Sequence, residues 1–176
     1  MAKRATRSLR RLPAPRRRFD VRLALRRIRQ AVRPLPKAAM FALADEGHLS
    51  LYRQVVACIL SVRTFDEVSL VAARRLFEAA PEPADLARLV PSAIDRLIGS
   101  VTFHRTKAGS IREIARVAAA RPDRDLPCDA KALLALPGVG PKCAHLALGI
   151  SCGERRITTC AGGSASRATD DTLPHP

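Results

Sequence analysis

An all-α fold is the architecture that the sequence predicts, and three observations lead to it. Apolar residues recur at helical spacing in segments of about 8–14 residues, which short loops containing Pro or Gly separate. No stretch of the sequence alternates apolar and polar residues with the period of two that is typical of strands. The segment LPGVG at positions 136–140 has the composition of a tight connection between two helices. With 176 residues and no internal repeat, the chain is expected to form one domain, with or without a tail.

A cap, a proline pair and two apolar segments place the first three helices. Asp20 is in position to cap a helix over residues 21–32, which Pro34 and Pro36 end. A buried helix begins at about Leu51 and runs through YRQVVACILS. The third helix has the sequence EVSLVAARRLFEAA, and four of its side chains are available for the core: Val68, Val71, Leu76 and Phe77.

Four shorter segments complete the predicted helices. One short helix carries three apolar side chains: Leu86, Leu89 and Val90. Ser92 is predicted to cap the helix AIDRLIGS, and Asp129 to cap AKALLAL, which leads into LPGVG. Between them, a helix over residues 107–119 places four apolar side chains along one side: Ile111, Ile114, Ala115 and Val117.

The positive charge of the chain is concentrated at its beginning. Residues 1–37 carry 14 Lys and Arg residues and one acidic residue, so they hold +13 of the chain's net +15. This distribution predicts a polyanionic partner bound through an arm. We expect residues 1–18 to be a disordered basic arm, residues 19–157 to form the helical domain, and residues 158–176 to be a disordered tail.

The cysteines and the hydropathy pattern exclude several classes of protein. The five cysteines are odd in number and form no Cys-x-x-Cys pair, which favours reduced thiols over a disulfide framework and supports no metal site. No apolar run approaches the roughly 18–20 residues of a membrane span, so no membrane contact is expected. A cytoplasmic or nucleoid location follows if the chain is bacterial. The Arg-rich, acid-poor beginning also resembles an organelle transit peptide.

The glycines of LPGVG indicate an anion site. Gly138 and Gly140 permit positive φ and leave no side chain between the backbone and an approaching group. Their amides, with the N-terminus of the next helix, offer hydrogen-bond donors and a partial positive charge. Leu136 and Val139 frame the turn as plugs in the core, and a DNA phosphate is the expected occupant. A plain turn between helices, for which one glycine suffices, is the alternative.

Three segments of the chain, taken in order, resemble one known family. They are CILSVRTFDEVSLVAARRLF, SVTFHRTKAGSIREIAR and LPGVGPK, which are similar to an early helix with a strand-separating loop, the segment before a hairpin, and a helix-hairpin-helix. The family is that of endonuclease III, DNA glycosylases with an associated abasic-site lyase activity. The resemblance covers about residues 19–157 and puts the helix-hairpin-helix at about 129–150. It implies duplex DNA as the partner, bound by the hairpin residues Leu136, Gly138, Val139 and Gly140.

The resemblance also implies roles for individual side chains. Lys142 matches the family's nucleophile, whose amine attacks the anomeric carbon, expels the base and forms a Schiff base; a surface lysine contacting phosphate is the alternative. Arg63 falls where the family often has a polar residue that fills the gap left by a flipped base, although a phosphate contact fits equally. Phe103 and His104 are candidates for the lesion pocket, against a core Phe beside a solvated His. His145 is a further candidate for the active site.

The resemblance breaks after residue 157. The family continues with an aspartate that assists the departing base, and its position falls near Cys160, where this chain reads ITTCAGG. A frameshift or an erroneous gene model would produce such a change. The four-cysteine iron–sulfur loop of many members has no counterpart in the sequence. We therefore expect no metal and no small-molecule cofactor.

Three functional hypotheses follow from these observations. The resemblance predicts a base-excision-repair DNA glycosylase and abasic-site lyase, impaired here because the assisting aspartate is missing. A catalytically inactive protein that still binds DNA is the second hypothesis. The third is a basic helical module that binds RNA or a protein through residues 1–37, but such a module has no need of the glycine hairpin.

Overall fold

The regular structure of the described chain is entirely helical, which confirms the predicted fold class. The computed structural model describes residues 19–153, and the chain divides into two compact units, Met1–Pro36 and Lys37–Pro176. Nine α-helices lie within the described residues, and no strand does. None of these helices is long and apolar enough to cross a bilayer. The predicted arm at 1–18 and the predicted tail at 158–176 lie outside the described residues.

The first unit contains helix α1, Val21–Val32, with the bounds that the sequence predicts. The side chain of Asp20 caps it by accepting a hydrogen bond from the backbone N–H of Leu23 at 3.0 Å. No residue of α1 is buried in the described structure. One face of the helix carries four exposed apolar side chains: Val21, Leu25, Ile28 and Val32. The first unit therefore has an amphipathic basic helix and no core among its described residues.

The second unit contains the other eight helices of the described chain. In chain order they are α2 (Ala39–Asp45), α3 (Leu51–Ser61), α4 (Asp66–Ala79), α5 (Pro83–Arg88), α6 (Pro91–Leu97), α7 (His104–Ala119), α8 (Ala130–Leu134) and α9 (Pro141–Ser151).

Helix α3 is the centre of the core. It buries nine of its eleven residues, and it packs against α2, α4, α7 and α9. A helix that is apolar on nearly all sides has to be enclosed by other helices, and this one is. Its N-terminus is held from a distance, because the Asp125 carboxylate accepts hydrogen bonds from the backbone N–H groups of Leu51 at 3.0 Å and Tyr52 at 2.6 Å. The remote carboxylate thereby satisfies two amides that the helix itself leaves without partners.

Several predicted helix starts differ from the structure by a few residues. Helix α4 begins at Asp66, one residue early, and helix α7 begins at His104, three residues before the predicted start. Ser92 does not cap α6, because that helix already begins at Pro91 and its cap position is Val90. Proline suits the first helical position, since the missing N–H would have no partner there.

Three predicted core side chains are exposed. Val71 is 49% exposed, Val90 56% and Val117 38%. In α4 the predicted Leu76 and Phe77 are buried, and the rest of the buried face consists of small residues: Ser69, Ala72 and Ala73. Small side chains let α4 approach α3 closely, and the larger Val71 then fits better on the outer face of α4. Helix α2 was not predicted, because its N-cap position is Ala38, which provides no side-chain cap.

Candidate functional site

Helices α8 and α9 form a hairpin around the LPGVG segment. The Asp129 carboxylate caps α8 as predicted, by accepting hydrogen bonds from the N–H groups of Lys131 at 3.2 Å and Ala132 at 3.1 Å. The turn itself is closed by the N–H of Val139, which donates to the carbonyl of Leu136 at 3.3 Å. Leu136 and Val139 are 9% and 7% exposed, so they are the core plugs that the sequence predicts. Any contact that these two residues make with a ligand is therefore limited to their backbone.

The two hairpin glycines differ in what they contribute. Gly138 has φ +79°, and a Cβ there would lie 3.4 Å from the Oγ atom of Ser110. Residues that carry a side chain rarely adopt this backbone conformation, so the position favours glycine. Gly140 has φ −96°, which any residue adopts, so its freedom to take positive φ is not used at this position. A Cβ on Gly140 would meet no atom of the described chain within 4 Å, so what glycine provides there is open space outside the hairpin.

Lys142 lies in the first turn of α9 and is exposed. Pro141 occupies the first position of the helix, and no side chain among the described residues caps its N-terminus. The amides of the first turn therefore have no side-chain cap among the described residues, and they follow directly after the open position at Gly140. Amides at a helix N-terminus carry a partial positive charge and bind anions such as phosphate.

Two buried thiols lie beneath Lys142. Cys143 and Cys58, on α9 and α3, are each 5% exposed, and the Cys143 thiol donates to the carbonyl of Val55 at 4.0 Å. Interaction with the Cys58 thiol, together with burial, raises the pKa of Cys143. Interaction with the Cys143 thiol lowers the pKa of Cys58, burial opposes this, and the positive charge of Lys142 lowers it further.

Arg63 follows the end of α3 and lies next to Phe103. The Cζ atom of Arg63 is 5.6 Å from the centroid of the Phe103 ring, in a cation–π arrangement. Phe103 is 58% exposed, so the alternative of a core phenylalanine is wrong. Both residues have left-handed backbone, with φ 56° at Arg63 and φ 60° at Phe103. Left-handed backbone is unfavourable for residues other than glycine, which marks both positions as ones that the surrounding structure fixes.

The two histidine candidates lie in different surroundings. The Nδ1 atom of His104 is 2.5 Å from the Oδ1 atom of Asp95, and the two side chains are 34% and 26% exposed. His104 is therefore directed toward a carboxylate. The Nδ1 atom of His145 is buried and has no hydrogen-bond partner within the described residues. A role for either histidine in the site stays a prediction.

A disulfide joins Cys128 to Cys152, which corrects the prediction of reduced thiols at these two positions. The two Cα atoms are 6.2 Å apart, within the range that a disulfide spans. The residues are 24 apart in the sequence, and no spacing motif indicates that they meet. Cys128 precedes the cap of α8 and Cys152 follows the last residue of α9, so the disulfide joins the two outer ends of the hairpin.

The described cysteines do not form the four-thiolate set that the family's iron–sulfur cluster needs. They lie in two separate pairs, the disulfide Cys128–Cys152 and the buried thiols Cys58 and Cys143. In residues 19–153, no group of three or more His, Cys, Asp or Glu side chains is placed to hold a metal ion. Cys160 lies outside the described residues. The expectation that no cofactor is bound stays a prediction.

Lys107 is a residue of this site that sequence reasoning missed. It was interpreted only as the start of a helix, yet it is 7% exposed and its Nζ atom lies against the end of α3. A buried lysine is rare enough to indicate a specific role. The one available signal was its position on the inward side of a helix, three residues before Ser110, whose side chain lies against the hairpin.

The comparison with family models decides the family. The model described as "HhH-GPD superfamily base excision DNA repair protein" matches residues 56–163, more than half of the chain. The chain belongs to the HhH-GPD superfamily. The matched residues include the hairpin, Lys142, Arg63 and Phe103.

Curated HhH-GPD relatives carry the name endonuclease III. The chain is 39% identical over 100 residues to endonuclease III homolog 1 of Arabidopsis thaliana, a match over 55% of this chain and 26% of the relative. It is 32% identical over 130 residues to endonuclease III of Thermotoga maritima, over 69% of this chain and 61% of the relative. These matches confirm the predicted endonuclease III family. The chain spans about a quarter to three fifths of the length of these relatives.

Solved structures agree with an HhH-GPD fold. A trapped endonuclease III–DNA covalent intermediate matches with a TM-score of 0.61 at 22% identity, over 76% of this chain and 59% of that one. A thermostable thymine-DNA glycosylase matches with a TM-score of 0.55 at 24% identity, over 60% of this chain and 49% of that one.

Proposed function

We propose that this chain acts on duplex DNA in base excision repair, as a DNA glycosylase with abasic-site lyase activity that uses Lys142 as its nucleophile. The observation that carries the proposal is the position of Lys142. Its exposed amine lies in the first turn of α9, beside uncapped helix amides and the open space at Gly140. A phosphate bound at those amides would hold a sugar within reach of the amine.

The chemistry of Lys142 follows from that of a primary amine. Its uncharged Nζ atom forms a bond to C1′ of the sugar while the C1′–N bond to the base breaks. The base leaves with the bonding electrons and takes up a proton. Ring opening then gives a Schiff base, whose nitrogen makes the proton on C2′ acidic. Loss of that proton breaks the C3′–O bond to the 3′ phosphate, and water releases the sugar from the lysine.

Arg63 and Phe103 are proposed to contact the bases. The exposed Phe103 ring offers an apolar surface, and the Arg63 guanidinium is planar and lies against it. Both chemical groups stack on bases and fill the space of a missing one. Helix α9, which carries Lys142, packs against α3, and Arg63 follows the end of α3, so we propose that a duplex held by the hairpin reaches both side chains.

Borohydride trapping on duplex DNA with one abasic site tests the proposal. Reduction of the Schiff base joins protein and DNA covalently, and the product separates on a denaturing gel. Wild-type protein is expected to give the product, and Lys142→Gln to give none while its DNA affinity stays within a few fold. Lys131→Gln is the matched control, because Lys131 is an exposed lysine on the same hairpin.

Other outcomes support other functions. Full duplex binding with no trapping by the wild-type protein would favour a DNA-binding protein without lyase activity. Equal trapping by wild type and Lys142→Gln would mean that another amine reacts, and Lys3 and Lys37 of the basic segment would then be the first to test. No duplex binding at all would overturn the proposal and leave an RNA or protein partner for the basic residues.

A further inference from the structure

Lys107 is buried against the end of helix α3, where it binds three oxygens. Its Nζ atom donates to the carbonyl of Leu60 at 3.0 Å and to the carbonyl of Val62 at 2.7 Å, and lies 3.5 Å from the hydroxyl oxygen of Thr64. The side chain comes from α7, so it joins two helices that are far apart in the sequence. All three partners are uncharged oxygens, and burial lowers the pKa of Lys107 to about 8.

Neither carbonyl receives a backbone hydrogen bond from the chain that follows α3, and the hydroxyl of Thr64 donates to the carbonyl of Val62 at 3.4 Å. The N–H of Val62 turns back to Cys58 and Ile59, and the N–H of Thr64 binds the carbonyl of Ser61. The C-terminal carbonyls of a helix need partners and carry a partial negative charge, so an ammonium group suits them. The buried Lys107 ammonium supplies these hydrogen-bond donors from inside the protein.

Arg63 lies between two of the groups that Lys107 binds. One is the carbonyl of the preceding residue, Val62, and the other is the hydroxyl of the following residue, Thr64. The backbone of Arg63 has φ 56°, which an unconstrained loop would leave for a more favourable conformation. Contacts on both sides of a strained residue are what hold it in place.

Thr64 extends the same contacts to the segment that carries Phe103. Its Oγ1 atom accepts a hydrogen bond from the N–H of Thr102 at 3.2 Å. The N–H of Lys107 donates in turn to the carbonyl of Phe103 at 3.1 Å. The two left-handed residues are therefore connected through Thr64 and Lys107, while their side chains lie against each other.

Lys107 itself cannot serve as a second nucleophile. It is 7% exposed, and the oxygens of α3 and the following loop surround its amine. A sugar carbon could not approach it without breaking those contacts. Its role must therefore act through the residues that it holds.

We propose that Lys107 is a positioning residue, which holds the stacked Arg63–Phe103 pair rigidly in the arrangement that meets the bases of a duplex. This inference rests on the proposed DNA binding, and it concerns how the base-contacting pair is fixed in place. Loss of the Lys107 ammonium should release the pair without removing the hairpin that holds phosphate.

The experiment uses Lys107→Met, which keeps the apolar stem and removes the donors, and Thr64→Val, which removes only the hydroxyl. Lys131→Met, at an exposed lysine, is the matched control. With the Arg63 guanidinium 5.6 Å from the Phe103 ring centroid, we expect the ring current to shift the side-chain proton signals of Arg63 in the free protein, and both test variants to lose much of this shift. Circular dichroism reports whether each variant is folded. If Lys107→Met fails to fold, Thr64→Val decides, because it retains the buried lysine.

Binding to two duplexes completes the test. One duplex is undamaged and the other carries a tetrahydrofuran abasic-site analogue opposite 2-aminopurine. We expect both test variants to bind the undamaged duplex within a few fold of wild type. Their preference for the abasic duplex should fall about tenfold, and the 2-aminopurine fluorescence change should decrease, as expected when a stacking contact to a base is removed.

The possible failures can be told apart. An unchanged ring-current shift in folded Thr64→Val and Lys107→Met would overturn the positioning role. An unchanged preference for the abasic duplex in both variants would overturn it as well. Absence of duplex binding by the wild-type protein would instead overturn the proposed function, and the proton shifts of the free protein would still decide whether Lys107 positions the pair.

Discussion

Cys128 and Cys152 are joined by a disulfide that connects the outer ends of the helix-hairpin-helix. The disulfide encloses the whole motif, from the residue before the cap of α8 to the residue after the end of α9. A cross-link of this length restricts the unfolded chain, and in the sequence its two cysteines flank the candidate anion site. Stability of the hairpin should therefore depend on the redox state of this pair.

Removal of the disulfide should destabilise the protein. For a 24-residue separation, the expected loss in the free energy of unfolding is about 3 kcal/mol, by restriction of the unfolded chain. Urea unfolding of wild type with and without reductant measures it. The double variant Cys128→Ser/Cys152→Ser is the control, because reductant should not change its midpoint. Equal midpoints for oxidised and reduced wild type would contradict the prediction.

The two hairpin glycines should respond differently to alanine. Gly138→Ala forces an alanine into left-handed backbone and places its methyl group 3.4 Å from the Ser110 hydroxyl, so it should cost at least about 1 kcal/mol of stability. Gly140→Ala meets no neighbouring atom and has an allowed φ, so it should be neutral or stabilise by about 0.5 kcal/mol. Thermal unfolding of both variants measures the difference.

Gly140→Ala should nevertheless weaken DNA binding. Its methyl group would occupy the open space beside the α9 amides, where a phosphate is proposed to bind. We expect about a tenfold loss of duplex affinity, equivalent to about 1.4 kcal/mol, in a protein that is as stable as wild type. Fluorescence anisotropy with a labelled duplex measures it. Wild-type affinity in Gly140→Ala would remove the hairpin amides from the proposed interface.

Lys107 should make stability rise with pH in an alkaline window. Burial lowers its pKa to about 8, whereas an unfolded lysine titrates near 10.4. Between these values the unfolded chain binds more protons than the folded one, so the free energy of unfolding increases with pH. Relative to Lys107→Met, which shares every other titrating group, wild type should gain about 1–2 kcal/mol between pH 8 and pH 10. Urea unfolding at both pH values measures this gain, and a constant difference would contradict it.

Binding to duplex DNA should depend strongly on salt. If about five phosphates are neutralised, the logarithm of the association constant should fall against the logarithm of salt concentration with a slope of about −4 to −5. Deletion of residues 1–18, which carry eight basic residues, should make the slope shallower without abolishing binding. Titrations at several salt concentrations give both slopes. A wild-type slope near zero would argue against nucleic acid as the partner.

The sequence predicted the helices best where a cap or a proline marks their ends. Asp20, Asp129 and the proline at position 34 placed α1 and α8 because a capping side chain or a missing N–H acts locally. Helix α2 has no such marker. Its place in the fold depends on tertiary contacts, among them the hydrogen bond at 3.3 Å from the Gln54 amide to the carbonyl of Met40.

The candidate site was only partly predictable, because some of its features depend on tertiary contacts that the sequence does not show. Gly138 could be placed from its neighbours in the sequence, whereas the role of Lys142 was implied by the family resemblance and stays a prediction. Lys107 could not, since its partners on α3 are more than 40 residues away. The Cys128–Cys152 pairing likewise depends on how α8 and α9 lie against each other, which composition does not reveal.

The left-handed backbone of Arg63 and Phe103 has a consequence for how the protein would search along DNA. Because both residues already occupy this conformation in the free protein, no loop has to become ordered when a duplex arrives. A protein that slides along the double helix would then press a rigid edge against each base step in turn. The time that the protein spends at a base step would then depend on how easily the two base pairs of that step unstack. Damaged steps, which unstack more easily, would be recognised by their deformability before any hydrogen bond to a base is made.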